Sequence, residues 1–239
     1  MEFPFLPEDE IDRAAACLLQ EVFGGLEAVP LPVDLEAIVY DHLYDREEVA
    51  FRDDLELGSR DGDRILGKTE PLTRRILVDV HLKREGPVGR YRFTVAHEVG
   101  HWILHRPLFF RDEAQGSLFQ DASGRDADLI SLQRNVFPGA GRGRLPPEEW
   151  QANRFAISLL INPERLRTEF RSRFDRPFVT VAEVCGTSSD AECRALARRL
   201  ALHEVGEAPP LTRVFGLSAE AMAIALEKRG YVRRDSTAL

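Results

Sequence analysis

The chain has 239 residues, of which 44% are hydrophobic and 30% charged, and its formal net charge is −8. This composition excludes an intrinsically disordered chain, and the acidic balance argues against a protein that coats nucleic acid, because phosphate binding requires clustered cations. No apolar run approaches the roughly 18 residues of a membrane-spanning helix, and the acidic N-terminal region is unlike a secretory signal.

The cysteines are odd in number, and their spacing fits no zinc knuckle or C-x-x-C redox motif. They are Cys17, Cys185 and Cys193. We therefore expect reduced thiols in a cytoplasmic protein. A disulfide between Cys185 and Cys193 is the alternative.

The first 92 residues predict two helices followed by a small sheet. Apolar residues recur at helical spacing over residues 9–23, and a Pro-rich break precedes Asp34, an expected N-cap for the second helix. Residues 58–63 have the composition of a turn or loop. Short apolar segments bounded by Gly, Asp and Pro predict three strands, at Glu48–Phe51, Arg64–Gly67 and Arg75–Val80.

The middle of the chain predicts two helices separated by a long irregular segment. The first covers about residues 92–105 and ends at Pro107. Residues 111–147 lack regular periodicity except for a short apolar segment at 129–132, and loops of this length are usually functional or mobile. Proline and acidic side chains then begin a helix at about 147–160. Residues 164–234 are mostly helical in pattern.

The strongest chemical signal is the motif His97-Glu98-Val99-Gly100-His101. Residues four apart share one face of a helix, so His97 and His101 can present two imidazoles to a single metal ion. Glu98 lies beside this face and can reach a water molecule at the metal without becoming a ligand. The motif alone also arises by chance, so the interpretation requires a third ligand.

Catalytic zinc takes three protein ligands and leaves one position for water. We predict Glu149 as the third ligand, and Glu148 is its main competitor. Two alanines on the same helical face, Ala152 and Ala156, allow this helix to approach another backbone closely. Asn153 lies one turn after Glu149 and can hydrogen-bond a ligand histidine, which would fix its ring. A helix-packing amide is the alternative interpretation of Asn153.

His105 lies one turn beyond His101 on the same predicted helix. The outer members of a row of three histidines would be roughly 12 Å apart, which is too far for one ion. We therefore expect His105 to support the site from outside the coordination sphere or to be structural. The three isolated histidines are expected to be structural or exposed: His42, His81 and His203.

Two segments together resemble the ImmA/IrrE family of metallopeptidases. The first is Arg92–His105, which contains the histidine motif, and the second is Glu149-Trp150-Gln151-Ala152-Asn153-Arg154-Phe155-Ala156. Two weaker similarities flank them. These are Pro32–Ile38, upstream, and Val214–Met222, which resembles the helix-turn-helix-like signature of the family.

The resemblance implies a zincin-like, thermolysin-related fold of the α+β class. We expect a mostly helical metallopeptidase domain with a small antiparallel or mixed sheet over residues 1–163. A helical C-terminal subdomain is expected over 164–239, with a helix-turn-helix-like segment at about 211–231. The resemblance also implies a zinc cofactor and, as substrate, a helix-turn-helix transcriptional repressor that controls stress-response or mobile-element genes. Mn²⁺ or another divalent ion would suit the same ligand types.

In the expected reaction, Glu98 removes a proton from the attacking water and passes it to the leaving amine. The sequence does not identify a second group that would stabilise the oxyanion. Arg142 and Arg144 in the long irregular segment are candidates.

Two other functions compete with the peptidase. The segment from Phe215 to Tyr231 is similar to a turn followed by a DNA-recognition helix, but its Ala and Leu content favours packing or substrate docking, so nucleic acid is not expected as a direct partner. An inactive metal-binding interaction module is the other alternative. The intact Glu98 argues against it, because a scaffold has no need of a general base.

Overall fold

The computed structural model describes residues 3–85, 87–110, 128–132, 145–186 and 189–234. Over these residues the fold is α+β, mostly helical with a small mixed sheet, as predicted. None of the described helices is long and apolar enough to cross a membrane. The chain divides into two compact units. The first unit comprises Met1–Val29 and Asp34–Leu159, and the second unit comprises Pro30–Val33 and Leu160–Leu239.

The first unit begins with helical segments whose apolar face is buried. Helix α1 (Glu8–Phe23) packs the side that the periodicity predicts and ends at Gly24, whose φ of 77° suits glycine. A 3₁₀ turn (Leu26–Ala28), a π-helical segment (Ala37–His42) and helix α2 (Leu43–Glu47) follow. Asp34 Oδ1 accepts the backbone N–H groups of Glu36 and Ala37 at 3.0 and 3.1 Å, as the predicted cap requires.

The sheet of the first unit has the strand order β1-β4-β3-β2, and β5 also pairs with β3. Strand β1 runs parallel to β4, and the other pairs are antiparallel. The strands are β1 (Ala50–Leu55), β2 (Ser59–Arg60), β3 (Asp63–Glu70), β4 (Arg75–Asp79) and β5 (Leu129–Leu132). Three of them were predicted with different ends, whereas β2 lies in a predicted turn and β5 in a predicted irregular segment. Local sequence could not identify β5, because its hydrogen bonds come from a strand about sixty residues earlier.

Three more helices of the first unit lie among the residues that the structure describes. They are α3 (Val80–Arg84), α4 (Val88–Phe110) and α5 (Pro147–Leu160). The prediction that Pro107 ends the central helix is wrong, because α4 continues through it. Pro107 lies in the last turn of α4. Its missing N–H removes one helical hydrogen bond, the one to the carbonyl of Ile103, and the helix tolerates this near its end.

In its described residues, the second unit is helical with one small pair of strands. Its helices are α6 (Pro163–Phe174), α7 (Val181–Cys185), α8 (Asp190–Leu202), α9 (Leu211–Phe215) and α10 (Ala219–Lys228). The parallel strands β6 (Val179–Thr180) and β7 (Val232–Arg233) were not predicted. Side-chain caps begin α6 at Asn162 and α10 at Ser218. Cys185 and Cys193 are free thiols, so the alternative disulfide is not formed.

Candidate metal centre

The histidine motif lies on α4, deep in the first unit. His97, Glu98 and His101 have no exposed surface, although ionisable side chains are almost never fully buried without partners. Helix α5 packs directly against this turn of α4. A Cβ atom at Gly100 would lie 3.1 Å from Phe155 Cδ1 and 3.2 Å from the carbonyl oxygen of Ala152. The glycine of the motif therefore permits the close helix approach that was predicted from the alanines of α5.

This approach brings Glu149 to the two histidines. His101 Nε2 lies 3.2 Å from Glu149 Oε1, and His97 Nε2 lies 3.5 Å from Glu149 Oε2. One potential ligand atom from each of these residues lies within 4.8 Å of the others, and all three residues are buried. Glu148, the competing candidate, is partly exposed and does not join this group. The structure thus brings together the three residues that were predicted as metal ligands.

The chemistry of these atoms fits a divalent ion. Within the described part of the chain, His97 Nε2, His101 Nε2 and Glu149 Oε2 are buried without a hydrogen-bond partner, and such groups are costly unless something else satisfies them. Two ligand atoms roughly 2.0–2.1 Å from a tetrahedral zinc ion are separated by about 3.3 Å. The two observed separations, 3.2 and 3.5 Å, bracket that value. The buried group can therefore hold a divalent cation.

Electrostatics favour an ionised carboxylate at the centre of this group. Burial alone would raise the pKa of Glu149, but His101 and His97 hold that pKa well below its usual range, so the carboxylate is ionised. Burial alone would lower the pKa of His97, but the Glu149 carboxylate raises it. The cluster therefore contains an anionic carboxylate that faces two imidazoles.

The far side of each imidazole ring is held by another side chain. His97 Nδ1 lies 3.0 Å from Asn153 Oδ1, and His101 Nδ1 lies 2.9 Å from His105 Nδ1. Both partners had been predicted to support the site from outside the coordination sphere. Since each Nδ1 is engaged, each Nε2 is directed towards Glu149, which is the arrangement that ligand histidines require.

Glu98 occupies its own pocket against the sheet. A Cβ atom at Gly67 would lie 2.1 Å from Glu98 Oε1, so only glycine leaves room for this side chain. Thr69 Oγ1 donates to Glu98 Oε2 at 2.7 Å, whereas Glu98 Oε1 is buried without a hydrogen-bond partner among the described residues. Burial raises the pKa of Glu98, and the histidines and the hydroxyls of Ser131 and Thr69 only partly oppose this. One oxygen of Glu98 is thus held by Thr69, and the other has no hydrogen-bond partner among the described residues.

Sequence reasoning missed the residues that the sheet contributes to this pocket. Gly67 and Thr69 lie on β3, and the fully buried Ser131 lies on β5. The available signal was a glycine inside a predicted strand, which often marks a close approach of another group. Arg142 and Arg144, the candidates for oxyanion stabilisation, lie outside the described residues.

Comparison with known proteins provides no family assignment. A scan against protein-family models gives no match, and a search of curated proteins gives none. The assignment of this site therefore depends on its geometry, burial and donor chemistry.

Proposed function

We propose that this protein is a zinc-dependent endopeptidase. The observation that carries the proposal is the convergence of His97, His101 and Glu149 beside the buried carboxylate of Glu98. Two imidazoles and one carboxylate are a ligand set of catalytic zinc, which keeps a further position for water. Zinc is favoured over harder divalent ions because two of the three ligands are nitrogens.

In the proposed reaction, Glu98 moves the protons. Bound zinc would supply a Lewis acid that polarises the scissile carbonyl and acidifies water. Glu98 accepts the proton of the attacking water at Oε1 and then delivers it to the amine that leaves. Burial raises the pKa of Glu98, which makes its carboxylate a stronger proton acceptor than an exposed one. Thr69 holds the other oxygen and so fixes the direction in which Oε1 points.

The resemblance to the ImmA/IrrE family extends the proposal to the substrate. On that basis the protein belongs to this family, acts in the cytoplasm and cleaves a helix-turn-helix transcriptional repressor in a stress-response or mobile-element circuit. The two motifs that carry the resemblance contribute all three candidate ligands and Glu98. The proposal therefore links the substrate class to the same residues that form the site.

The alternative functions have less support. In the helix-turn-helix-like segment, α10 has two acidic side chains, Glu220 and Glu227, and both are ion-paired with Arg194 of α8. Acidic groups on a recognition helix disfavour contact with phosphates, which supports a packing role. A metal-binding scaffold would not need Glu98, whose buried, unpaired Oε1 is costly.

Co-expression with a candidate repressor encoded beside the gene tests the proposal. We expect loss of the full-length repressor with the unaltered chain. With Glu98→Gln we expect cleavage to fall about 10²- to 10⁴-fold, the usual contribution of a general base. The matched control is Glu148→Gln, one position from the ligand Glu149 but outside the cluster.

The outcomes separate the competing functions. Cleavage that depends on Glu98 but not on Glu148 supports the peptidase. Retained zinc binding in purified Glu98→Gln shows that the loss is one of proton transfer and not of metal. Equal cleavage by the unaltered chain and Glu98→Gln would refute the proposed reaction.

A further inference from the structure

A continuous path of hydrogen bonds leads from the candidate ligand His101 to the N-terminal segment, residues 3–7. His101 Nδ1 lies 2.9 Å from His105 Nδ1, and His105 Nε2 lies 2.9 Å from Gln151 Oε1. Gln151 Nε2 donates to the carbonyl oxygen of Pro4 at 2.7 Å. His101, His105 and Gln151 are each at most 1% exposed, so water does not replace the contacts among these three side chains.

The N-terminal segment is packed onto this path by two aromatic contacts. The ring of Phe3 meets His105 edge to face at 5.1 Å, and Phe5 stacks on Trp150 at 6.2 Å between ring centroids. These contacts lie on either side of Pro4 in the sequence. Phe5 itself is 75% exposed, so the contact of Phe3 with His105 and the hydrogen bond from Gln151 are what place the Pro4 carbonyl against the amide.

Donor and acceptor chemistry gives the path one direction. The carbonyl oxygen of Pro4 can only accept, so the amide nitrogen of Gln151 must face it and the amide oxygen must face His105. That oxygen can only accept, so His105 carries a proton on Nε2 and, as a neutral ring, offers a lone pair at Nδ1. His101 must then donate from Nδ1, which leaves its Nε2 to serve as the metal ligand.

We propose that the Pro4 carbonyl, Gln151 and His105 form a relay that fixes the Nδ1–H form of His101 and so prepares its Nε2 for the metal. The relay rests on the proposed metal centre. Gln151 and His105 are positioning residues, because they act on the ion only through His101. The N-terminal segment thereby becomes part of the metal site without contacting the metal.

The relay makes the second ligand dependent on a distant piece of backbone. The partner of His97 is Asn153, which lies on the same helix as Glu149. The partner of His101 is a histidine, whose ring can exchange its donor and acceptor nitrogens. An additional group must therefore set the state of His105, and Gln151 does so only while Pro4 sets the orientation of the amide.

Three variants test the relay by zinc affinity, measured by competition with a chromophoric chelator. Gln151→Leu removes the acceptor for His105, and we expect zinc affinity to fall about tenfold to a hundredfold. Gln151→Glu keeps an acceptor for His105 but sets a carboxylate oxygen against the Pro4 carbonyl, so zinc affinity should fall, though less than in Gln151→Leu. Gln20→Leu, on the exposed side of α1, is the matched control.

Removal of residues 1–5 isolates the contribution of Pro4. Without that carbonyl the Gln151 amide can turn over and present its NH₂ group to His105, so zinc affinity should fall up to about tenfold. In the Gln151→Glu background the same truncation should raise zinc affinity, because it removes the carbonyl oxygen that opposes the carboxylate. A segment that only stabilises the fold would lower affinity in both backgrounds.

Two-bond ¹H–¹⁵N spectra of histidine-labelled, metal-free protein read the proton position directly. We expect the proton between the two rings to lie on His101 Nδ1 and His105 Nδ1 to be unprotonated. In Gln151→Leu the proton should shift towards His105.

Three outcomes would overturn the relay: a proton on His105 Nδ1 in the unaltered chain, undiminished zinc affinity in Gln151→Leu, or equal losses in Gln151→Leu and Gln151→Glu. Failure of the proposed metal centre has a different signature. The unaltered chain would then bind no zinc, while the metal-free spectra would still show where the proton lies.

Discussion

The interiors of the two units are built from similar helices but contain different chemistry. Where α4 meets α5 in the first unit, the buried surface contains histidines, carboxylates and amides. Where α8 meets α10 in the second unit, it contains apolar side chains, among them Leu196, Met222 and Leu226. The polar contacts of α8 and α10 lie at the margin, where Arg194 pairs with two glutamates and keeps 41% of its side chain exposed.

This difference indicates that the two interiors have different roles. An apolar interface stabilises a fold at no desolvation cost, whereas each buried ionisable group loses its hydration. In the first unit, four ionisable side chains are buried and lose their hydration: His97, Glu98, His101 and Glu149. We infer that this interior has been shaped for binding an ion and moving a proton, and that its full stability requires the ion.

The largest expected effect follows from that inference. Zinc at about a thousandfold excess over its Kd should raise the free energy of unfolding of the first unit by about 4 kcal/mol, by mass action. Hydrogen exchange should show where zinc stabilises the protein. We expect slower amide exchange in α4 and α5 and unchanged exchange in α8 and α10. Differential scanning calorimetry with and without zinc measures its size.

Two glutamate variants provide the control for this stabilisation. Glu149→Gln replaces the anionic ligand by a neutral amide and should abolish the effect of zinc. Glu148→Gln should retain it, because Glu148 lies outside the buried group. Equal stabilisation of both units by zinc would contradict the comparison.

A smaller effect should follow from filling the space at Gly67. In Gly67→Ala the new methyl group would meet Glu98 Oε1 at 2.1 Å and Cγ at 2.8 Å, so the carboxylate must move. Misplacement of a reacting group by about 1 Å can cost about a hundredfold in rate. We expect peptidase turnover to fall about tenfold to a hundredfold while zinc affinity is retained, because the three atoms nearest to that methyl group all belong to Glu98. Single-turnover cleavage and chelator competition measure the two quantities.

Gly25→Ala is the matched glycine control. A Cβ atom there would be 3.6 Å from its nearest neighbour, which is ordinary contact. Its turnover should equal that of the unaltered chain. Undiminished turnover in Gly67→Ala would show that the position of Glu98 does not limit the reaction.

The helices and their ligands could be predicted because their signals are local. The spacing of His97 and His101 is a property of one helix, and the small residues Ala152 and Ala156 indicated that α5 approaches another backbone. The N-cap at Asp34 and the buried face of α1 could be predicted for the same reason. Capping residues and apolar periodicity are patterns that extend over only a few neighbouring residues.

The surroundings of Glu98 could not be predicted, because they come from pairing across the chain. Ser131 reaches the site only because β5 pairs with β3, and the register places it opposite Gly67. The contact between Gln151 and Pro4 spans 147 positions in the sequence. No local pattern specifies such pairs, and proline in an N-terminal segment normally indicates only an extended backbone.

The smallest expected effect lies in the second unit and completes the comparison. Arg194 donates to Glu227 at 2.7 and 2.8 Å and to Glu220 at 2.8 Å, so its loss removes two ion pairs. Both are partly exposed, and pairs of this kind contribute at most about 1 kcal/mol each. Arg194→Met keeps most of the apolar stem, so urea unfolding should show a loss of at most about 2 kcal/mol. In about 1 M salt, where screening acts within about 3 Å, the difference in the free energy of unfolding should nearly vanish.

A loss several times larger that persists in salt would contradict this expectation. It would mean that α8 and α10 depend on their charges as the first unit depends on its buried site. The contrast between the two interiors would then be one of degree.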